Sequence, residues 1–168
     1  MIFIAVGTQK FQLNRLLQLI DDMIDEGKIT DRVFAQSGNS NYSPRNYEVK
    51  RFLDKVEFDE MVERCDLLIT HCGVGTIISG LKKEKPIIVF PRLAKYHEHV
   101  DDHQLQIADS FSSLNYVLKC GEDDDLSGLI EKTKTHVFSK YISHRENMIR
   151  LIEDYLKYKV KGKKRRRE

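Results

Sequence analysis

Cysteine is scarce in this 168-residue chain. Cys65, Cys72 and Cys120 make an odd set with no C-x-x-C pair, which excludes a disulfide-framed domain and a thiolate zinc site and points to packed, reduced thiols. Long apolar runs are also missing. The longest stretch without Asp, Glu, Lys or Arg, from Leu67 to Leu81, is broken by Thr70, His71 and Ser79, whereas a spanning helix needs ~20 mostly apolar residues. The early run Ile2 to Val6 has neither a basic flank nor a small-residue cleavage site, so a secretory signal is not expected and the chain is expected in the cytoplasm. Net positive charge is missing outside the far end. Seven cations from Lys159 onward against Glu168 give residues 159–168 a net +6, so the overall +2 leaves residues 1–158 at −4. No basic face for nucleic acid is expected in such a body, and the tail reads as a solvated end that could also reach anionic lipid.

What is present reads as one globular domain over residues 1–158 with a basic tail over 159–168. Apolar residues make up 40% and charged residues 32%, against about 45–50% and ~25% in ordinary globular chains. Strand signals fall at Ile2–Val6, Val33–Ala35, Leu67–Ile69, Ile87–Phe90 and Tyr116–Leu118, with a weaker one at Tyr47–Phe52. Helical spacing fills the intervals: Phe11 to Gly27, Phe58 to Cys65, Ile77 to Leu81, Val100 to Phe111 and Asp124 to Thr133. A last amphipathic helix is expected from Ser143, with Met148, Ile149, Ile152, Tyr155 and Leu156 on one stripe. Alternation of this kind predicts an α/β fold, a Rossmann-like parallel sheet with helices on both faces.

Two glycine turns follow strands in this pattern. Gly7-Thr8 follows the first, and Thr70-His71-Cys72-Gly73-Val74-Gly75-Thr76 links a buried strand to a helix. Ligands of open parallel sheets bind beyond the C-terminal strand ends, where free helix N–H groups attract anions. The second turn therefore suits a diphosphate, with Thr76 adding a hydroxyl, although a tight strand-to-helix turn would use the same glycines. It is not a dinucleotide fingerprint, because Ile78 stands where a third glycine belongs, and no G-K-[ST] follows. His71 at its mouth could contact phosphate, act as a general base or be a packed histidine. Cys72 reads as a small buried residue.

His97-Glu98-His99-Val100-Asp101-Asp102-His103 nearly spells the H-x-H-x-D-H ligand pattern of metallohydrolases. Asp102 stands where that pattern wants histidine, and His103 comes one place late, so a polar substrate-contacting loop or a solvated helix start is favoured over a metal hydrolase. The other histidines, His136 and His144, fall on helical surface segments.

The stretches Met1 to Thr8, Asp66 to Thr76, Lys85 to Pro91 and Asp102 to Ala108 together resemble the C-terminal, donor-binding half of glycosyltransferase family 28. The likeness is strongest to stand-alone subunits of the bacterial PssE type, and it extends to the catalytic subunit of the eukaryotic two-subunit UDP-GlcNAc transferase of dolichol-linked chitobiose. The resemblance implies half of a GT-B fold. It implies a UDP-sugar donor held by Gly7, Thr8, Gly73, Gly75, Thr76 and Gln104, with Phe52 as the uracil-capping aromatic and His71 beside the diphosphate. Ser79 takes the place of the family's ribose-binding acid, and Ile107 that of its sugar-binding asparagine. The implied activity is an inverting hexosyltransferase that adds a hexose or N-acetylhexosamine to a lipid-diphosphate-linked saccharide in capsule or exopolysaccharide synthesis. It would need a membrane-anchored partner subunit to hold that acceptor, would sit at the inner membrane face through the partner, and would need no cofactor or metal. His71 or the partner supplies the base. The other reading of the same residues is a non-catalytic enhancer that stabilises a partner transferase.

Overall fold

The computed structural model describes residues 1–143. The expected stripe from Met148 to Leu156, His144 and the basic tail lie outside the described residues. Six strands form one all-parallel sheet in the order β3-β2-β1-β4-β5-β6: β1 (Ile2–Ala5), β2 (Val33–Gln36), β3 (Glu48–Lys50), β4 (Leu67–Thr70), β5 (Ile87–Val89) and β6 (Leu118–Lys119). Five helices connect them: α1 (Asn14–Asp25), α2 (Lys55–Arg64), α3 (Val74–Lys82), α4 (His103–Ser113) and α5 (Leu126–Thr133). This is the doubly wound order, with its switch point between β1 and β4. Among the described residues no helix is long and apolar enough to cross a membrane.

The central strands read as unbroken apolar runs because both sheet faces are covered. Alternation along β1 sends Ile2 and Ile4 to one layer and Phe3 and Ala5 to the other. The first layer packs Leu16, Leu17, Ile20 and Met23 of α1 with Leu126 and Ile130 of α5. The second packs Val62 of α2, Ile77 and Leu81 of α3 and Ala108 of α4. Each fully buried aliphatic side chain contributes about 1.5–3 kcal/mol. The edge strand β3 is exposed throughout, which explains its weak signal.

Several boundaries differ from the sequence reading for local reasons. The segment expected to be helical from Phe11 becomes α1 only at Asn14, because Leu13 N–H is drawn to Ser40 Oγ (2.9 Å) and Asn14 N–H to Gln12 Oε1 (2.7 Å). In contrast, α2 begins before Phe58, at Lys55, behind a reciprocal cap of Asp54 and Glu57. The start of α3 is Val74 rather than Ile77, so Gly75 and Thr76 belong to its first turn. Asp101 and Asp102 hold the chain out of helix, and α4 starts at His103 instead of Val100. The sixth strand is only Leu118–Lys119, and His136 lies beyond α5, bonded through Nε2 to Asn115 Oδ1 (2.7 Å). Asp21 is fully buried, yet it organises the loop after β2 by accepting from Tyr42 OH (2.8 Å), Arg45 N–H (2.9 Å) and Asn46 N–H (3.0 Å). Burial pushes its carboxyl up, but those bonds win and hold it below the usual carboxylate range.

Candidate functional site

The loops that leave β1 and β4 open at the switch point, and an open cleft of about 370 Å³ lies against them. It is lined by Gly7, Thr8 and Gln9 after β1, by Gln36 at the end of β2, by Leu53 to Lys55, Phe58 and Asp59 around the start of α2, and by His71, Gly73, Gly75, Thr76 and Ser79 after β4. A hollow of about 420 Å³ near Arg15, Asp22 and Tyr96 lies apart from the glycine turns, and there Arg15 is already paired with Glu98 (2.9 Å).

His71 is the wedge between the two loops. Its residue is 6% exposed, and Nδ1 lies 3.1 Å from the Ala5 carbonyl. A carbonyl only accepts, so Nδ1 carries the proton and Nε2 presents a lone pair. That edge of the ring lies where a Cβ on either flanking glycine would stand. A Cβ on Gly7 would come within 2.5 Å of Nε2, and one on Gly73 within 2.3 Å. Gly7 also has φ +85°, which side chains resist. Burial, and then the positive charge of Arg92, pull the imidazole down to about 4, against the opposing bond to Ala5. His71 is therefore neutral at physiological pH.

The start of α3 supplies the positive potential that His71 lacks. Its N-cap is Gly73, no side chain caps it, and no acid occupies the first turn. The first bond that closes within the helix runs from Ile77 N–H to the Gly73 carbonyl (3.1 Å), which leaves the Val74, Gly75 and Thr76 N–H groups ahead of it. Such a terminus carries about half a positive charge and is a ready anion site. Gly75 differs from its neighbours: a Cβ there would meet nothing within 4 Å. The protein's own packing does not require that glycine, whereas a ligand approaching the backbone would.

Seven of the residues singled out from sequence meet at this cleft: Gly7, Thr8, His71, Gly73, Gly75, Thr76 and Ser79. Phe52 and Gln104 do not line it. Phe52 is 40% exposed beside Leu53, with the Arg51 guanidinium 5.4 Å from its ring centre. Gln104 is buried, and its Oε1 accepts from Arg92 N–H (3.0 Å). Cys72 is buried as expected, and burial raises its thiol to about 12, which makes it a poor nucleophile.

Sequence reasoning missed Arg92. It is completely buried at the C-terminal end of β5, where Nη2 donates to the carbonyls of Val6 (2.5 Å) and Phe11 (3.2 Å) and so ties down both ends of the first glycine loop. Its Nε and Nη1 have no hydrogen-bond partner among the described residues. An arginine just after a strand gives no sequence signal for such a role. The Leu53 to Asp59 wall was also missed, although Asp54 and Glu57 stand at capping-box spacing.

A doubly wound parallel sheet with an uncapped helix start and glycine turns at its switch point is an α/β domain of the type that forms one half of a GT-B glycosyltransferase. The model of the glycosyltransferase family 28 C-terminal domain matches residues 1–151, and the chain belongs to that family. It is 35% identical over 98 residues to the UDP-N-acetylglucosamine transferase subunit ALG13 of Candida albicans, covering 58% of this chain and 28% of that protein. The Saccharomyces cerevisiae protein of the same name is 35% identical over 91 residues, 52% of this chain and 42% of that one. A Prochlorococcus marinus UDP-N-acetylglucosamine--N-acetylmuramyl-(pentapeptide) pyrophosphoryl-undecaprenol N-acetylglucosamine transferase is 26% identical over 142 residues, 79% of this chain and 38% of that one. The chain thus spans less than half the length of these relatives. In fold it is similar to the NMR solution structure of ALG13, with a TM-score of 0.56 at 22% identity over 89% of this chain and 93% of that one.

Proposed function

We propose that this chain is the donor-binding subunit of a two-component inverting glycosyltransferase. It takes a UDP-sugar and, with a membrane-anchored partner that holds the acceptor, transfers a hexose or N-acetylhexosamine to a lipid-diphosphate-linked saccharide. The setting is capsule or exopolysaccharide synthesis at the inner face of the membrane. The observation that carries this reading is the bare first turn of α3 opening on the cleft beside a glycine that the fold itself does not need.

Transfer by inversion requires the UDP to leave as the acceptor hydroxyl attacks. Negative charge then grows on the diphosphate, and fixed donors aimed at it stabilise the transition state more than the ground state, which lowers the barrier. The Val74, Gly75 and Thr76 N–H groups, the Thr76 hydroxyl and the α3 dipole fill that role. No metal is required for that neutralisation. An imidazole whose conjugate acid has been pulled down to about 4 is a weak base. His71 therefore serves as a neutral wedge and hydrogen-bond acceptor, and the base on the acceptor hydroxyl comes from the partner.

Ser79 lines the cleft where the family's ribose-binding acid is expected, and this favours the second reading, a non-catalytic enhancer of the partner. Co-expression of the chain with its membrane partner and a panel of UDP-sugars tests both. Transfer by the pair alone, lost in Gly75→Ala and Thr76→Val while the pair still co-purifies, supports a donor site here. Undiminished transfer with those substitutions makes the chain an enhancer.

A further inference from the structure

The failed register in His97 to His103 conceals a different set of ligands. In the folded chain His99, Asp101 and His103, spaced H-x-D-x-H, bring their ligand atoms within 4.8 Å of one another. We propose that these three side chains bind one divalent transition-metal ion of the zinc type, at a site outside the lining of the donor cleft.

The geometry is close to what an ion needs. Nitrogen and oxygen ligands sit about 2.0–2.2 Å from zinc, so two donors on one tetrahedral ion are roughly 3.4 Å apart. His99 Nδ1 and Asp101 Oδ1 already stand 3.3 Å apart, and a set that lies within 4.8 Å needs to close by somewhat over an ångström, a side-chain rotation. Its centre is Asp101 Oδ1. His99 Nδ1 lies 3.3 Å from it, His103 Nδ1 is in short contact with it, and His103 N–H donates to it at 3.1 Å. The backbone bond is ordinary for a helix start and accounts for neither imidazole. His99 Nδ1 is also 3.4 Å from Asp101 N–H. It cannot accept that proton and also donate to Oδ1, so as an acceptor it turns a lone pair on a carboxylate, an opposition that a cation removes.

The set is also supported and open. The His99 side chain is 8% exposed, with its ring held 4.8 Å from Phe11 and 4.5 Å, edge to face, from His103. Asp101 and His103 side chains are 58% and 44% exposed, so an ion there would keep positions for water or another ligand. Two imidazoles and one carboxylate suit zinc, iron(II), cobalt or nickel better than magnesium or calcium, which prefer oxygen alone.

Zn2+ titration of the full chain, free of any affinity tag and followed by calorimetry and metal analysis after dialysis, decides the matter. One equivalent per chain is expected. His99→Ala, His103→Ala and Asp101→Asn should each weaken it more than about 100-fold, since loss of an outer-shell partner alone costs 10–100-fold. His97→Ala should leave it unchanged. Melting curves in chelator that match the wild type establish that the variants are folded. Absence of saturable binding, or binding that survives the triple substitution or is lost in His97→Ala, would overturn the site.

Discussion

Two helices of the same layer, α2 and α3, begin on the rim of one cleft and begin differently. At α2 the Asp54 carboxylate accepts from Glu57 N–H (2.9 Å), and the Glu57 carboxylate accepts from Asp54 N–H (3.0 Å). At α3 a glycine stands in the same place, and nothing caps the turn. With glycine at the N-cap the missing side-chain bond costs only a few tenths of a kcal/mol. The chain therefore accepts that cost at one end and not at the other, and the bare end lies between the glycine turns. A helix terminus that satisfies its own donors serves the fold, whereas one that leaves them open beside a cleft is suited to an anion.

The largest expected effect attacks the wedge behind the bare end. The unfolded state takes up a proton at His71 near the ordinary histidine value of 6.5, while the folded state refuses it until about 4. Stability from this group is complete above about pH 6.5, declines as pH falls and levels off below about 4, a loss on the order of 3 kcal/mol. Urea unfolding of the wild type and His71→Gln across pH 4 to 7 isolates it. The stability difference between the two proteins should shrink toward acid pH, and a constant difference would remove the neutral wedge from the account. Next in size is Gly73→Ala, whose Cβ would stand 2.3 Å from Nε2. Overpacking of this kind costs typically 1–3 kcal/mol. Removing the ring should relieve it, so Gly73→Ala should be far less damaging on a His71→Ala background, with a coupling of at least about 1 kcal/mol in the double-mutant cycle.

The sequence shows the bare end better than the capped one. Leu67 to Ile69 followed by Gly-Val-Gly-Thr announces a buried strand and a phosphate-type turn, because an unbroken apolar run suits a strand covered on both faces and paired glycines suit a close backbone approach. The α3 start is misplaced by three residues, since local propensity counts Gly75 against helix while packing on β4 and β5 includes it. Asp54 and Glu57 carry the capping signal in plain spacing, yet the apolar residues that identify α2 begin only at Phe58. Burial of Gln104 under Arg92 N–H, and the displacement of Phe52 from the cleft, depend on how separate segments meet. No local pattern records that. The same limit conceals His99, Asp101 and His103, whose linear register argues against the cluster that the loop forms.

The smallest effects on stability make the sharpest contrast between the two ends. Asp54→Ala removes half of the α2 cap and should cost about 1 kcal/mol. It also takes a negative charge off the rim of the cleft, so UDP should bind as well as before or slightly better. Gly75→Ala should do the reverse. Its site has no positive φ and no neighbour for the new methyl, so stability should hold or rise by a few tenths of a kcal/mol. UDP affinity, measured by calorimetry, should fall at least about 10-fold, about 1.4 kcal/mol, because the methyl occupies the space through which a phosphate would reach the backbone. If both variants instead lost stability and kept their affinity for UDP, the open start of α3 would be no more than a turn, and the contrast with α2 would carry no functional meaning.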